Sequence, residues 1–390
     1  MCIKSIALFG ATIVGALALA IGAIGTMKPT LFMGLPFPLS IILWTSFGGE
    51  VPPYFMPEAW KDDEIKTWTK PGDLVVSTGG KSGTTWMLFC THQIRMKGTD
   101  DADELFGDVS LATPWPDLRQ SRHGSWEEQK DRYNTTILTN GKPLKEYWDN
   151  ERYPFRIFKS HYGPKETGSV LPIRDNPKLK FLAMVRNGLD VVNSMVYFWT
   201  AHQDVFRNVY GGFPPDSTGD VIIDADQRIH EMLPGGLLDS IWFGYVTQWW
   251  EMRNEPNVLL LHYADARKDL VGTVRKLANF LEVDLTESEV KKVSDKCDIS
   301  YMKARSHMFE YAMPLNNDPF WDNERDRIMK PEQMIRTGKV GHWKEQPFTE
   351  EHRQKWHQAE EDVLGAVDPN LVRWAREGGS YDGPTSQKKQ

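Results

Sequence analysis

The residues with the most chemical content lie in one run, Ser77-Thr78-Gly79-Gly80-Lys81-Ser82-Gly83-Thr84-Thr85-Trp86. A strand-like stretch, residues 73–77, leads into it, and a helical pattern over 85–96 follows it. A glycine-rich bend between a strand and a helix start turns several backbone N–H groups, and the positive end of the helix dipole, toward one point. That is an anion site. Lys81 adds a full charge, and Ser82, Thr84 and Thr85 add hydroxyl donors. Gly80-Lys81-Ser82 fits the end of the nucleoside-triphosphatase pattern G-x-x-x-x-G-K-[ST], but the leading position holds Val75 instead of glycine. The spacing therefore fails for that class and leaves a phosphate loop of another kind.

The other polar clusters also follow strand-like runs. Residues 156–159 end in Ser160-His161. Residues 180–185 are followed by Arg186-Asn187-Gly188 and a helical pattern over 189–199. Residues 257–262 are followed by Tyr263-Ala264-Asp265 and a helix over 269–281. Strands alternating with helices predict an α/β fold: a single P-loop-like three-layer domain with a central, mostly parallel sheet flanked by helices. Ligands of such sheets bind at the carboxyl ends of the strands, where all four clusters fall.

Lys-Ser-Gly-Thr-Thr-Trp at 81–86 resembles the 5'-phosphosulfate loop of the cytosolic-type sulfotransferases, which use 3'-phosphoadenosine 5'-phosphosulfate (PAPS). Three further segments resemble that family in the same order. Val185 to Ser194 is similar to its 3'-phosphate motif, which implies that Arg186 and Ser194 bind the 3'-phosphate; a guanidinium fork suits a phosphate dianion. Phe158-Lys159-Ser160-His161 is similar to its Lys-Thr-His segment. This implies that His161 is the general base and that Lys159 and Lys81 stabilise charge on the transferring group and the leaving phosphate. Arg336-Thr337-Gly338-Lys339-Val340-Gly341-His342-Trp343-Lys344 is similar to its R-K-G-x-x-G-D-W-K segment, which implies that Arg336 and Gly338 close over the 3'-phosphate. Trp86 and Tyr263 match its adenine contacts. The resemblance covers residues 65 to 350 and implies sulfuryl transfer from PAPS to a hydroxyl or amine, with 3',5'-ADP as product and lysines in place of a metal. The chain departs from the family at Gly79-Gly80 (usually Tyr-Pro), Gly188 (usually Pro), Thr337 (Lys), His342 (Asp) and Ile299 (an aromatic adenine contact). The glycines predict a looser local backbone.

Two other function classes fit parts of the pattern. A P-loop kinase acting on a nucleotide or small metabolite would share the phosphate loop but lacks the leading glycine and does not call for Arg186 with Ser194. A non-catalytic membrane scaffold would not call for two lysines and the histidine.

The composition is that of a folded protein: 390 residues, 40% hydrophobic, 25% charged. A net charge of −7 excludes a general nucleic-acid binder, so any anion site is a local constellation. Fifteen Trp, 12 Tyr and 18 Phe imply a Trp-rich core with rings to spare for a pocket, Trp199, Trp242 and Trp249 among the candidates. Three scattered cysteines, Cys2, Cys90 and Cys297, point to neither a disulfide framework nor a zinc site. The run 6–24 is apolar and about long enough to cross a bilayer. It reads as a signal anchor in preference to a signal peptide cleaved after Ala18-Leu19-Ala20, or to a buried helix. The expected organisation is 1–28 hydrophobic anchor, 29–60 membrane-proximal segment, 61–370 sulfotransferase domain and 371–390 polar tail. It implies a single-pass membrane protein with a small-molecule, glycan or lipid acceptor. The long segments 100–150 and 200–240 are expected to contact that acceptor. Asn134-Thr135-Thr136 is a glycosylation sequon.

Overall fold

The computed structural model describes residues 56–118, 125–202, 221–236, 238–314, 325–327, 329–330 and 333–381. The predicted N-terminal anchor lies outside these residues. Among those described, no helix is long and apolar enough to cross a membrane.

Four parallel strands, β1 (Leu74–Ser77), β2 (Ile157–Ser160), β3 (Lys180–Val185) and β4 (Val258–His262), form one sheet in the order β2-β1-β3-β4. The strand runs are almost wholly buried, as a sheet covered on both faces requires. Their side chains alternate between two cores. Val75, Phe158, Phe181, Ala183, Val185 and Leu260 face one core. Leu74, Val76, Ile157, Leu182, Met184 and Leu261 face the other. The first core is closed by helices α2 (Gly188–Thr200), α3 (Phe243–Glu251), α6 (Glu350–Val367) and α7 (Pro369–Glu377). The second is closed by α1 (Thr84–Arg95), α4 (Leu270–Leu281) and α5 (Glu287–Cys297). This is the three-layer architecture expected. The chain leaves β1 for β2 on one side and reaches β3 on the other, so the ends of β1 and β3 flank the switch point where such sheets bind ligands.

The amino end of the sheet is closed by charge. On Arg156, the residue just before β2, Nε donates to Asp73 Oδ1 at 3.1 Å, and the terminal nitrogens reach Asp73 Oδ2, the Trp68 carbonyl at 2.9 Å and Asp149 at 3.7 Å.

The polar tail expected from residue 371 is corrected: α7 runs to Glu377 and buries Leu371, Val372, Trp374 and Ala375. Tyr381 then packs on Trp250 and Trp374, with ring centroids 5.4 and 5.7 Å apart. An amphipathic repeat of only nine residues, opened by Asp368 as cap and Pro369, was submerged in the charged composition around it. The sequon asparagine, Asn134, is exposed near the end of the helix Trp126–Thr135.

Candidate active site

β1 ends at Ser77, whose carbonyl accepts from the Tyr245 hydroxyl at 2.6 Å. The chain then turns through Lys81 (φ 59°) and Gly83 (φ 102°) before α1 begins. Two left-handed residues within three curl the backbone N–H groups into a concavity at the helix N-terminus. A left-handed lysine is uncommon, and such strain concentrates at functional sites. Gly83 has a second reason to be glycine: a Cβ there would lie 3.2 Å from Met184 Sδ and from the Tyr263 ring. Thr84 shares a hydrogen bond with Thr78.

The predicted looseness at the glycines is answered by packing. A Cβ at Gly79 would meet the Tyr245 ring at 3.1 Å, one at Gly80 would meet Ile241 Cγ2 at 3.1 Å, and one at Gly188 would meet the Trp356 ring at 2.3 Å. Side chains from α3, the turn before it and α6 occupy the space that larger residues would fill.

Arg186, 9% exposed, follows β3. It donates to the carbonyls of Lys81 (3.3 Å) and Lys339 (3.0 Å) and lies 4.6 Å from the Tyr263 ring centre. Its Nε is buried with no partner among the described residues. Asp190, 3.7 Å away, spends its carboxylate on the backbone N–H groups of Gly341 (2.8 Å) and Trp343 (3.1 Å). That clasp fastens the C-terminal loop over α2. His342, in the place of the family's Asp, meets Asn193 Nδ2 at 3.2 Å. Arg336 lies on the Tyr197 ring at 3.8 Å. Gly338 (φ 61°) backs onto Ile299, which supplies an aliphatic wall where the family has an aromatic.

At the end of β2, Lys159 is 5% exposed and sits between the rings of Trp115 (3.5 Å) and Tyr311 (3.9 Å). Burial pushes its pKa well below the ordinary lysine value; nearby Lys81 adds to the depression and Asp117 opposes it. His161 Nδ1 lies 2.8 Å from the Thr78 carbonyl, which can only accept. The proton is therefore assigned to Nδ1, which leaves Nε2 as a lone-pair base. Burial, then Lys159 and Lys81, lower the imidazole pKa to about 3, so it is neutral at working pH. Lys81, held over the Phe198 ring at 3.9 Å, is brought to about 7 by burial and by repulsion from Arg336 and Arg186.

One cavity of about 780 Å³ joins these groups. Lys81, Gly83, Thr84, Thr85, Trp86, Lys159, His161, Arg186, Ser194, Tyr263, Arg336 and Gly338 all line it. Ser82 is the exception among the predicted residues. It is buried beneath the loop, and its N–H is spent on the Gly79 carbonyl at 3.0 Å. Trp199 lines the cavity, whereas Trp242 and Trp249 are core residues. The expected acceptor segments contribute Trp115, Leu118, His202, Leu238 and Ser240; residues 203–220 lie outside those described.

Residues 71–368 match the model of the sulfotransferase domain. The chain belongs to the sulfotransferase family. Curated relatives include Sulfotransferase 2A6 of Mus musculus, 24% identical over 82% of this chain and 95% of its own length, and Sulfotransferase 2A1 of Rattus norvegicus, 26% identical over 78% and 89%. The fold is shared with mouse sulfotransferase SULT7A1 complexed with PAP (TM-score 0.55, 18% identity, 84% of this chain and 94% of that one). It is also shared with retinol dehydratase in complex with androsterone and inactive cofactor PAP (TM-score 0.50, 21% identity, 77% and 82%). The activity of this sulfotransferase is PAPS-dependent sulfuryl transfer, and the kinase alternative falls away.

Three features of the site went unseen in the sequence: the Asp190 clasp, the ring box of Trp115 and Tyr311, and Asp117. Asp117 is buried and accepts from Ser160 Oγ (2.5 Å) and Trp60 Nε1 (2.7 Å), which pins the residue before His161. Burial raises its pKa to about 6 against those hydrogen bonds. Among the described residues, no group of His, Cys, Asp and Glu is suited to a metal ion.

Proposed function

We propose that the two anion cradles grip opposite ends of one PAPS molecule while the His161 end of the cavity receives the acceptor. The observation that carries this is the single cavity lined by both Lys81 and Arg186. The residues fit the nucleotide. Buried cations with almost no carboxylate on them, an orphaned Arg186 Nε and two left-handed glycines that leave room for close approach are what a doubly phosphorylated ligand would satisfy.

In this reading Arg186, Ser194, Arg336 and the Gly338 N–H hold the 3'-phosphate. Lys81, Thr84, Thr85 and the N–H groups of the loop hold the 5' end. Trp86, fixed by its Nε1 bond to the Cys297 carbonyl (2.8 Å), and Tyr263 meet the adenine. PAPS supplies the sulfuryl group and leaves as 3',5'-ADP. His161 Nε2 takes the proton of the acceptor hydroxyl or amine. Lys159 holds the negative charge that spreads over the transferring oxygens, and Lys81 holds that on the departing phosphate.

Calorimetry tests the cofactor reading. Tight binding of 3',5'-ADP without binding of Mg-ATP is expected, and the reverse would overturn it. His161→Ala should lower transfer about 10²–10⁴-fold with 3',5'-ADP binding nearly intact; full activity would place the base elsewhere.

The domain spans about 56–377 in this reading: its expected start at 61 moves back because Met56, Ala59 and Trp60 are buried in the first core, and its expected end at 370 moves to the end of α7. Residues 1–28 form a signal anchor and the residues from 29 to about 55 a membrane-proximal segment, on the support of the apolar run 6–24. Carbonate extraction of the full-length chain should leave it with the membranes; release of intact chain would refute the anchor.

A further inference from the structure

The acceptor end of the cavity has two kinds of wall. Beside His161 it is apolar: Trp115 lies against the imidazole, ring centroids 5.0 Å apart, with Tyr311 next to Trp115 at 6.5 Å, and Phe198, Met195 and Ile241 also line the cavity. At one side it is polar: Gln248, Ser240 and Ser169 all line it. Gln248 projects from α3 toward Gly163. Its Oε1 lies 2.0 Å from where a Cβ on Gly163 would stand, so a larger residue there would displace the amide from this position. No hydrogen bond joins the amide to any described residue, and the same holds for the Ser240 hydroxyl. Ser169 Oγ accepts from the Gly163 N–H at 3.0 Å, which leaves its own proton to give. Gly163 is two residues beyond His161, within about 7 Å along the chain. The uncommitted polar groups therefore line the same cavity as His161, a short chain distance from it.

We propose that the acceptor is an apolar molecule with two polar groups. One is the hydroxyl or amine that is sulfated. The other is a second, neutral hydrogen-bonding group, such as a carbonyl or hydroxyl, held by Gln248 with Ser240 and Ser169. The inference rests on the sulfotransfer reading of the site. A purely apolar body at this wall would strip water from the amide and leave it without a partner, and sites built to bond a polar group discriminate against analogues that lack it.

The test uses the full-length protein, PAPS and two phenols that differ by one carbonyl: 4-cyclohexylphenol and 4-(4-hydroxyphenyl)cyclohexanone. The ketone cannot itself accept the sulfuryl group. The wild type should favour it by about tenfold or more in kcat/KM, mainly through KM. Gln248→Leu should bring the ratio to about one while the Kd for 3',5'-ADP, measured on the same sample, stays the same. Gln248→Met, which keeps the chain length without the amide, should give the same collapse and serves if the leucine variant does not fold. Equal rates on the two phenols in the wild type, or an unchanged ratio in the variants, overturn the inference. Transfer to neither phenol while 3',5'-ADP still binds also overturns it. Loss of 3',5'-ADP binding in the wild type would instead sink the sulfotransfer reading of the site.

Discussion

Two cations three residues apart, Arg156 just before strand β2 and Lys159 near its carboxyl end, follow opposite rules. Arg156 at the amino end is buried and fully paired, with Asp73 on two of its nitrogens and Asp149 nearby. Lys159 at the carboxyl end is equally buried and rests on aromatic faces. Its neighbour Lys81 is pushed toward neutrality by burial first and then by Arg336 and Arg186. A buried cation that has its carboxylate holds the fold together. Cations drawn together in a cavity without a carboxylate each are what a ligand anion would satisfy, as the proposed reading of the site requires. The difference separates structural from functional charge without reference to any relative.

Substitutions at the two ends test that separation. The largest effect is expected at Lys81. Lys81→Met should reduce kcat by about 10²–10⁴-fold, as loss of a group that stabilises transition-state charge does, without lowering the melting temperature. A less stable variant with normal turnover would place Lys81 among the structural charges. Arg156→Met should do the opposite. It strands Asp73 and should cost about 3–5 kcal/mol in denaturant unfolding, with turnover per folded molecule and 3',5'-ADP affinity unchanged. Arg186→Ala comes next, with a Kd for 3',5'-ADP weakened about 10²-fold by calorimetry; an unchanged Kd would remove Arg186 from the cradle.

The smallest effect is a slope with pH. With Lys81 at about 7 in the folded chain against 10.5 when free, the unfolded chain binds more protons between those values. Its contribution to stability therefore rises with pH from about 7 toward 10. Lys81 is only half-buried, so the expected gain in melting temperature is about 1–2 °C. Saturating 3',5'-ADP, which holds Lys81 charged, and Lys81→Met should each flatten the slope; a slope that survives both belongs to other groups.

Much of this was legible in the residues themselves. The strand ends were visible because apolar runs stop at Ser77, Ser160, Val185 and His262, and the polar clusters follow at once. Lys81, Lys159, His161 and Arg186 were legible because they sit at those stops. What escaped were contacts made across the fold. Asp190 stands inside a stretch that reads as a helix start, and nothing near it says that its carboxylate turns to N–H groups about 150 residues on. Asp117 and Trp115 lie in a short loop whose meaning depends on β2 passing beneath it. The glycines at 79, 80 and 188 read as loosening because the side chains that fill their space come from α3, the turn before it and α6. Trp242 and Trp249 could not be told from pocket residues, since a tryptophan serves a core and a ligand wall equally well.

The close approach of Trp356 to Gly188 joins the second residue after Arg186 to a helix near the far end of the described chain. The four strands and the loop around Lys81 come from the first two-thirds of the polypeptide, whereas the packing at Gly188 needs α6. On the proposed reading of the site, a prematurely stopped product that ends before α6 would carry the phosphate loop without the helix that backs the Arg186 side of the cavity, and should bind 3',5'-ADP weakly.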